Sequence, residues 1–263
     1  MVNTNQSFVH SSSTLQSALK RKAETYDQLS HTYHHARFDD DSGRFDLQEG
    51  QWLVRSLAGR LMRGRGDDWR ALDVASGTGK VALPLASLGG RVVALDAAPG
   101  MLKQLQSRAS REGARLDCVQ SSADAIPYSD GTFDMVFSFR FLHLFAVEHH
   151  ARLIAEMVRV TRPGGYVVLE FNNSWYGLVW AYLQRQLQAR RGRTEFSSAY
   201  NILGVRSLAD RIPGLKFRAT YGLLLPKSWR IAGSPFLTRG ARALAHIPLK
   251  FVSRLLVVVY QKS

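Results

Sequence analysis

The sequence predicts an α/β fold with a mostly parallel, doubly wound sheet. Short apolar runs alternate with helical patterns between about residues 70 and 172, as expected when helices connect parallel strands. A glycine-rich turn at residues 75–79 ends the first of these runs. The hydrophobic content of 45% and the length of 263 residues are ordinary for one globular domain. The single cysteine, Cys118, lies in an apolar strand pattern, which indicates a buried, inert thiol and excludes an internal disulfide.

The glycine-rich turn is the most informative feature of the chain. The strand pattern before it carries an acid, Asp73, and the turn itself has the form Gly77-x-Gly79. A helical pattern begins directly after it, at residues 81–86. Glycine is needed here because a Cβ would block the approach of a ligand or the positive φ of the turn. The pattern therefore predicts a ligand held close to the backbone.

A second strand pattern, residues 91–96, ends in a carboxylate, Asp96. A carboxylate at this place can accept hydrogen bonds from both hydroxyls of a ribose. A third strand pattern at residues 115–120 precedes Asp124, which offers an acceptor to an adenine amino group. Together these carboxylates predict a cofactor that contains a nucleoside.

The glycine turn does not by itself identify that cofactor, because Gly77-x-Gly79-x-x-Ala82 also fits a dinucleotide fingerprint. Asp73 favours S-adenosylmethionine. A dinucleotide site usually keeps the strand end apolar beside the pyrophosphate, whereas an acid suits a ligand with a positive amino group. The segment 131–138, a following helix and the strand pattern at residues 162–170 complete an ordered series of five motifs.

This series resembles the class I S-adenosylmethionine-dependent methyltransferases, in particular the quinone-biosynthesis and small-molecule branch. The resemblance covers roughly residues 45–172. It implies a Rossmann-like, doubly wound, seven-stranded sheet that ends in an antiparallel hairpin. To this pattern we expect the chain to add helical segments on the substrate side. It also implies the cofactor-binding residues, which are Asp73, Ala75, Gly77, Gly79, Asp96, Ala97, Ala123, Asp124, Ala125 and Ser138.

Structural roles remain open for the acids in this set. Asp73 could cap the turn that follows it, and Asp96 could start the next helix. Asp124 on its own would be an ordinary helix N-cap. His143, just after the fourth strand, is the candidate general base for a phenol, hydroxyl or activated ring carbon. The chain has two His-His pairs, at residues 34–35 and 149–150. Neither pair has the spacing of metal ligands, so we expect no metal.

The spacing of apolar residues predicts the remaining helices and strands. The polar, Ser-rich start predicts disorder over residues 1–20, running into a helix over about residues 15–33. A second helix is predicted over 45–62, and four strand-helix units follow, the last helix spanning 147–160. Further elements are predicted as a strand over 165–171, a helix over 175–191, and strands over 216–224 and 254–260. We expect one domain with a helical cap (21–66), a cofactor core (67–171) and a basic substrate-side region (172–263).

Two segments, 172–203 and 225–252, exceed the minimal family pattern. They are predicted to be lids beside the substrate, or else covers for exposed sheet surface. The whole chain has a net charge of +14. From residue 172 onward it has 15 Lys and Arg residues but only two acidic residues. Basic residues interleaved with aromatic ones suit an anionic membrane surface; nucleic acid and a plainly solvated face remain alternatives.

The sequence therefore predicts a methyltransferase that acts on a small-molecule or lipid-like acceptor by O- or C-methylation. No signal-peptide pattern and no apolar run long enough for a bilayer is visible, so we expect a cytoplasmic protein, peripheral to the inner membrane face. The alternatives are an NAD(P)-dependent oxidoreductase, an RNA methyltransferase that uses the basic C-terminal half, and a non-catalytic adaptor. The oligomeric state is left open.

Overall fold

The structure, a computed structural model, describes residues 4–66, 68–176, 199–223 and 253–263, with the backbone alone for residues 4–14, 41 and 42. The helices of these ranges are α1 (Thr4–Phe38), α2 (Asp41–Leu61), α3 (Ala82–Ala86), α4 (Pro99–Glu112), α5 (Val147–Val160) and α6 (Ile202–Asp210), with a 3-10 helix at Leu142–Leu144. The strands are β1 (Arg70–Val74), β2 (Arg91–Asp96), β3 (Asp117–Gln120), β4 (Phe133–Ser138), β5 (Thr161–Asn173), β6 (Ala199–Tyr200), β7 (Leu215–Leu223) and β8 (Leu255–Lys262).

These strands form one sheet in the order β3-β2-β1-β4-β5-β8-β7, and the two-residue β6 pairs with β5. The first five strands run parallel to one another. Every residue of β4 is buried, because helices or other chain segments cover both faces of the sheet. Two separate apolar clusters form the core, with Leu72 in one and its neighbour Ala71 in the other. The predicted doubly wound, Rossmann-like sheet is confirmed.

The last two strands form the predicted antiparallel edge of the sheet. β8 pairs antiparallel with both β5 and β7, so that Val259 faces Val168 on one side and Ala219 on the other. The buried Tyr260 hydroxyl donates to the carbonyl oxygen of Val205 (2.6 Å) and ties this edge to α6. The strands begin or end within a few residues of the predicted positions, and the seven-stranded path is confirmed.

The N-terminus differs from the prediction. Helix α1 begins at Thr4, and its side chains Leu15 and Leu19 are only 1% and 8% exposed. This helix overlaps the stretch over residues 1–20 for which the sequence predicts disorder. Two leucines one helical turn apart suffice to bury one face of a helix that is otherwise polar, and the Ser-rich composition hides this pattern.

The helices of the core follow the sequence closely, with one exception. Helix α5 has the predicted bounds, and α2 begins four residues earlier than predicted because Asp40 caps it by accepting from Gly43 N–H. After β3, however, a loop takes the place of the helix expected in the third strand-helix unit. Arg159 of α5 holds this loop by donating to the carbonyl oxygens of Tyr128 (2.8 Å) and Ile126 (2.9 Å).

Much of the two predicted additions, including residues 177–191 of the predicted helix and the segment 225–252, lies outside the described residues. The described end of the first addition contains β6 and the start of α6, neither of which was predicted. None of the helices in the described ranges is both long and apolar enough to cross a bilayer.

Candidate functional site

An open cavity of about 940 Å³ lies at the carboxyl ends of β1, β2 and β4, beneath helix α1. Open α/β sheets bind ligands at this edge. The first wall comes from the strand ends and carries Asp73, Gly77 and Asp96. The described lining residues of the opposite walls are mostly apolar or aromatic and include Leu19, Tyr26, Tyr33, Phe38, Phe139, Phe141, Leu144 and Phe145.

The glycine turn has two glycines with different surroundings. Both have positive φ, +51° at Gly77 and +90° at Gly79, which side chains other than glycine rarely adopt. A Cβ on Gly77 would meet nothing within 4 Å, because this residue faces the cavity. A Cβ on Gly79 would lie 2.3 Å from Leu105 Cδ1. Gly77 thus leaves room for a ligand, whereas Gly79 lets the turn pack against the core.

The Asp96 carboxylate organises this turn. Its Oδ2 accepts from Gly77 N–H (2.8 Å) and its Oδ1 from Ala98 N–H (2.9 Å). Burial raises the pKa of Asp96, while these backbone N–H groups act in the opposite direction. Asp96 therefore does shape the start of the next helix, as the structural alternative required. Each carboxylate oxygen has a second lone pair, so ribose hydroxyls can still be accepted.

Asp73 is almost fully buried, with 1% of its surface exposed, yet it borders the cavity. Its Oδ2 accepts from Ala82 N–H (2.9 Å), which makes it the cap of α3. Burial raises the pKa of Asp73 well above its ordinary value of 3.8, and the nearby Asp96 raises it further. A buried carboxylate of this kind is stabilised by a positive group placed beside it.

Helix α1 closes the cavity from above and is fastened at two places. Asp27 accepts from Gly100 N–H (2.6 Å) and so caps α4, whose own N-cap residue makes no side-chain bond. His34 Nδ1 lies 3.3 Å from Thr78 Oγ1, directly beside the glycine turn. Burial and the neighbouring Arg108 lower the pKa of His34 to about 4, so this contact is made by a neutral imidazole.

The residues of the cavity suit an adenosyl cofactor with an amino-acid end. Gly77 leaves open space at the turn, and Ser76 Oγ is buried at the lining without a hydrogen-bond partner among the described residues. An unpaired buried hydroxyl is unfavourable unless a ligand or water pairs with it. In the part of the chain that the structure describes, no group of three or more His, Cys, Asp or Glu could hold a metal ion.

Comparisons with known proteins agree with this geometry. A family model described as a methyltransferase domain matches residues 72–169. A demethylmenaquinone methyltransferase of Renibacterium salmoninarum is 36% identical over 195 residues, which cover 67% of this chain and 77% of that protein. This chain belongs to the class I S-adenosylmethionine-dependent methyltransferases.

Other relatives share parts of this methyltransferase. Uncharacterised proteins of Mycobacterium bovis and Mycobacterium tuberculosis are 40% identical over 104 residues, and the matched part spans 37% of their length. The magnesium protoporphyrin IX methyltransferase of Synechocystis PCC 6803, solved with bound S-adenosylhomocysteine, has a TM-score of 0.60 at 14% identity and covers 85% of this chain and 88% of that one. This likeness shows a shared fold. The family assignment also decides between the two cofactors that the glycine turn left open, in favour of S-adenosylmethionine.

The structure brings about half of the predicted site residues of the methyltransferase to the cavity. The predicted residues that line it are Asp73, Ala75, Gly77, Asp96, Ala97 and Ala123. Ala75 has a φ of +58°, although it carries a Cβ. The turn therefore places a residue with a Cβ in a backbone conformation that favours glycine.

Asp124, which was predicted to hold the adenine, is not among the residues that line the cavity. Its carboxylate lies outside the cavity lining, accepts from Ser122 Oγ (2.5 Å) and lies 3.9 Å from Arg152 Nη2. Ala125 is also outside the lining, and its N–H donates to the carbonyl oxygen of Ser122 (3.2 Å) in a turn. The loop after β3 presents Ser121 and Ala123 to the cavity instead.

Ser138 and His143 lie behind the lining. Ser138 is fully buried, and its hydroxyl donates to Val74 O (3.0 Å), which joins the ends of β4 and β1. His143 lies on the 3-10 helix between the lining residues Phe141 and Leu144, and is not itself a lining residue. Burial, Arg140 and other nearby positive charges lower the pKa of His143 to about 3, so its imidazole is neutral at physiological pH.

Four basic residues of the cavity lining are not among the predicted site residues. Lys22, Arg37, Lys80 and Arg140 all line the cavity, and Arg140 has a positive φ of +59°. Glu170, on β5, lies behind two of them with 2% exposure. The signal that could have found Glu170 was available, because an acid near the end of a buried strand is the same pattern that singled out Asp73 and Asp96.

Proposed function

We propose that this methyltransferase transfers the methyl group to an oxygen or carbon of a small, largely apolar acceptor bound in the cavity. The observation that carries this proposal is the division of one cavity into two halves under α1. One half offers Asp73, Gly77 and Asp96, and the other offers a cluster of aromatic side chains. Clefts of this kind bind small apolar ligands, which are fixed in orientation by a few polar groups.

The residues of the first half have separable proposed roles. Asp96 would accept both ribose hydroxyls while keeping its bonds to the turn, and Gly77 would allow the close approach of the ligand. Asp73 would face the positive amino group, because a buried carboxylate gains most from such a partner. The small side chains Ala97 and Ala123, with Met101, would flank the adenine ring. These assignments follow from the lining and the carboxylate positions.

The second half would align the acceptor. The bound cofactor supplies a sulfonium, which makes its methyl group electrophilic. Phe139, Phe141 and Phe145 then have to hold an apolar acceptor so that its nucleophilic atom faces that methyl group. Alignment of this kind can supply ~7–11 kcal/mol of the barrier. The apolar and aromatic lining suits a small, largely apolar acceptor.

His143 as a general base stays a prediction. Its imidazole is neutral and can accept a proton, but a pKa of about 3 makes it a weak base. We therefore propose a positioning role for His143 beneath Phe141 and Leu144. Replacing it by Gln should lower activity less than tenfold. A loss of 100-fold or more with unchanged S-adenosylhomocysteine binding would instead support the catalytic role.

A peripheral contact with an anionic membrane is proposed on charge alone. The 15 basic and two acidic residues from position 172 onward give this part a strong positive charge, and each basic residue near an anionic surface adds roughly 1 kcal/mol of attraction. Co-sedimentation with vesicles of acidic phospholipid at low salt tests it. Failure to sediment would end the membrane proposal without affecting the proposed reaction.

An acceptor screen tests the proposed reaction. The purified protein is incubated with S-adenosylmethionine and, separately, with reduced quinones, lipid-like phenols and total RNA, and methylated products are detected by mass spectrometry. We expect products from the quinol or phenol set. Methylation confined to RNA would overturn the small-molecule proposal and favour the alternative that uses the basic half.

A further inference from the structure

The cavity lining carries a group of positively charged side chains. Arg37 of α1, Lys80 beyond the glycine turn and Arg140 after β4 all line the cavity. They lie near one another, since Arg37 and Arg140 both act to lower the pKa of Lys80, although burial is the larger cause. Burial likewise lowers the pKa of Arg140, and Arg37 adds to the effect. Three cations therefore converge from three separate elements.

One acid, Glu170, lies near two of these cations, and both ion pairs are long. Glu170 Oε1 lies 3.9 Å from Arg140 Nε, and Glu170 Oε2 lies 3.9 Å from Lys80 Nζ. These distances allow ion pairs but not hydrogen bonds. Arg140 Nε and Glu170 Oε2 are both buried and have no hydrogen-bond partner among the described residues. Buried charged groups with unused hydrogen-bonding capacity are unfavourable, unless a ligand completes their bonding.

Arg37 adds a positive charge that no described acid pairs with. The described contact of its guanidinium is with the Phe38 ring, whose centre lies 5.9 Å away. No ion pair joins it to any carboxylate among the side chains that the structure describes. Arg37 and Arg140 therefore face the cavity with donors available to a ligand.

The cations are also held in place. A Cβ on Gly50 of α2 would lie 2.5 Å from Lys80 Cε, so the Lys80 chain passes directly over that glycine. Arg140 lies in a backbone turn with φ of +59°, a conformation that is unfavourable for a residue with a Cβ. A strained residue in a binding cleft indicates a constraint that folding alone does not explain.

The cofactor accounts for only one of these charges. Even without Lys22, which also lines the cavity, the three cations and Glu170 leave two positive charges. The carboxylate of the cofactor would neutralise one of them, and its amino group would face Asp73 on the other wall. One positive charge then remains beside the aromatic side chains, where the acceptor would bind.

We propose that the acceptor carries an anionic group, of the carboxylate class, which Arg37 and Arg140 bind while the apolar part of the acceptor packs against Phe139, Phe141 and Phe145. This inference rests on the proposed function, because it names the chemistry of the acceptor in the same site. Guanidinium groups suit it, since they donate two parallel hydrogen bonds to a carboxylate.

Calorimetry with matched probes tests the proposal. Protein saturated with S-adenosylhomocysteine is titrated with 1-hydroxy-2-naphthoate and with its neutral amide, 1-hydroxy-2-naphthamide. We expect the carboxylate to bind about tenfold or more tightly than the amide. R140Q and R37Q should each reduce this preference to about threefold or less. R111Q removes a positive charge from the exposed end of α4 and should leave the preference unchanged.

The outcomes separate this proposal from the proposed function. If S-adenosylhomocysteine binds but the two probes bind equally, or the naphthoate does not bind at millimolar concentration, the anionic acceptor is wrong and the cofactor site stands. If R140Q and R37Q weaken S-adenosylhomocysteine but not 5′-methylthioadenosine, which lacks the amino-acid end, the cations serve the cofactor carboxylate and the proposal fails. If wild-type protein does not bind S-adenosylhomocysteine, both proposals fail.

Discussion

The backbone N–H of Gly77 donates to Asp96 Oδ2 over 2.8 Å. This bond joins the glycine turn after β1 to the end of β2 and is made by the side chain expected to bind the ribose. The carboxylate is therefore oriented before any ligand arrives, because Ala98 N–H holds its other oxygen. A site whose polar groups are already fixed in place loses less entropy when it binds its ligand.

The two glycines of the turn should respond differently to alanine. Gly77→Ala places its Cβ in the open cavity, so we expect weaker S-adenosylhomocysteine binding with a loss of stability of about 1 kcal/mol from its positive φ. Gly79→Ala drives its Cβ into Leu105 and should lower stability by about 3 kcal/mol. Denaturant melts and calorimetry on both variants measure this contrast. Equal losses of stability would contradict it.

Asp73→Asn should affect stability and binding in opposite directions. The raised pKa of Asp73 means that the ligand-free protein loses stability as the pH rises above 3.8 and the buried carboxyl ionises. Asparagine keeps an acceptor for Ala82 N–H without the charge. We expect the ligand-free variant to melt at a higher temperature at pH 8, with a difference that shrinks towards pH 4.

The same variant should bind S-adenosylhomocysteine more weakly, because the positive amino group loses its partner. Thermal melts at several pH values and calorimetry at pH 8 test the two halves of this prediction. A variant that is less stable at every pH would show that the carboxylate serves mainly as the cap of α3.

Ala75→Gly should stabilise the protein. The φ of +58° strains any residue with a Cβ, and removing the Cβ should gain about 0.5 kcal/mol after the greater freedom of glycine in the unfolded chain is taken into account. Ala82→Gly, at the start of α3, is the matched control and should lose roughly 1 kcal/mol. The measurement is the free energy of unfolding in urea. A destabilised Ala75→Gly variant would remove the argument for strain at this position.

His143 and His34 should remain neutral through the physiological pH range. Their pKa values are lowered to about 3 and about 4, in both cases mainly by burial. Their imidazole NMR signals, assigned with His143→Gln and His34→Gln, should therefore not shift between pH 5.5 and 8. A midpoint near 6.5 for His143 would restore it as a candidate base of useful strength.

The sequence predicted those parts of the site that depend on local patterns. Asp73, Gly77 and Asp96 could be found because each stands where an apolar run ends, and the carboxyl ends of parallel strands meet at one edge. Helix α5 could be placed to the residue because its apolar side chains repeat with a helical period.

The rest depended on tertiary packing. The side on which Asp124 lies is set by the direction of the loop after β3, and the Arg159 side chain that holds this loop comes from a helix much later in the chain. Arg37, Lys80 and Glu170 belong to three distant elements, so no local pattern joins them. The burial of Leu15 depends on the surface that α1 covers, and composition gives no sign of that surface.

Calorimetric titration of the wild-type protein and of Asp96→Ala with S-adenosylhomocysteine, with NADH in parallel, tests the central claim most directly. We expect micromolar binding of S-adenosylhomocysteine to the wild type, a loss of about tenfold or more in Asp96→Ala, and no binding of NADH. Circular dichroism should show that the variant remains folded. Unchanged S-adenosylhomocysteine affinity in Asp96→Ala, or binding of NADH by the wild type, would contradict the account.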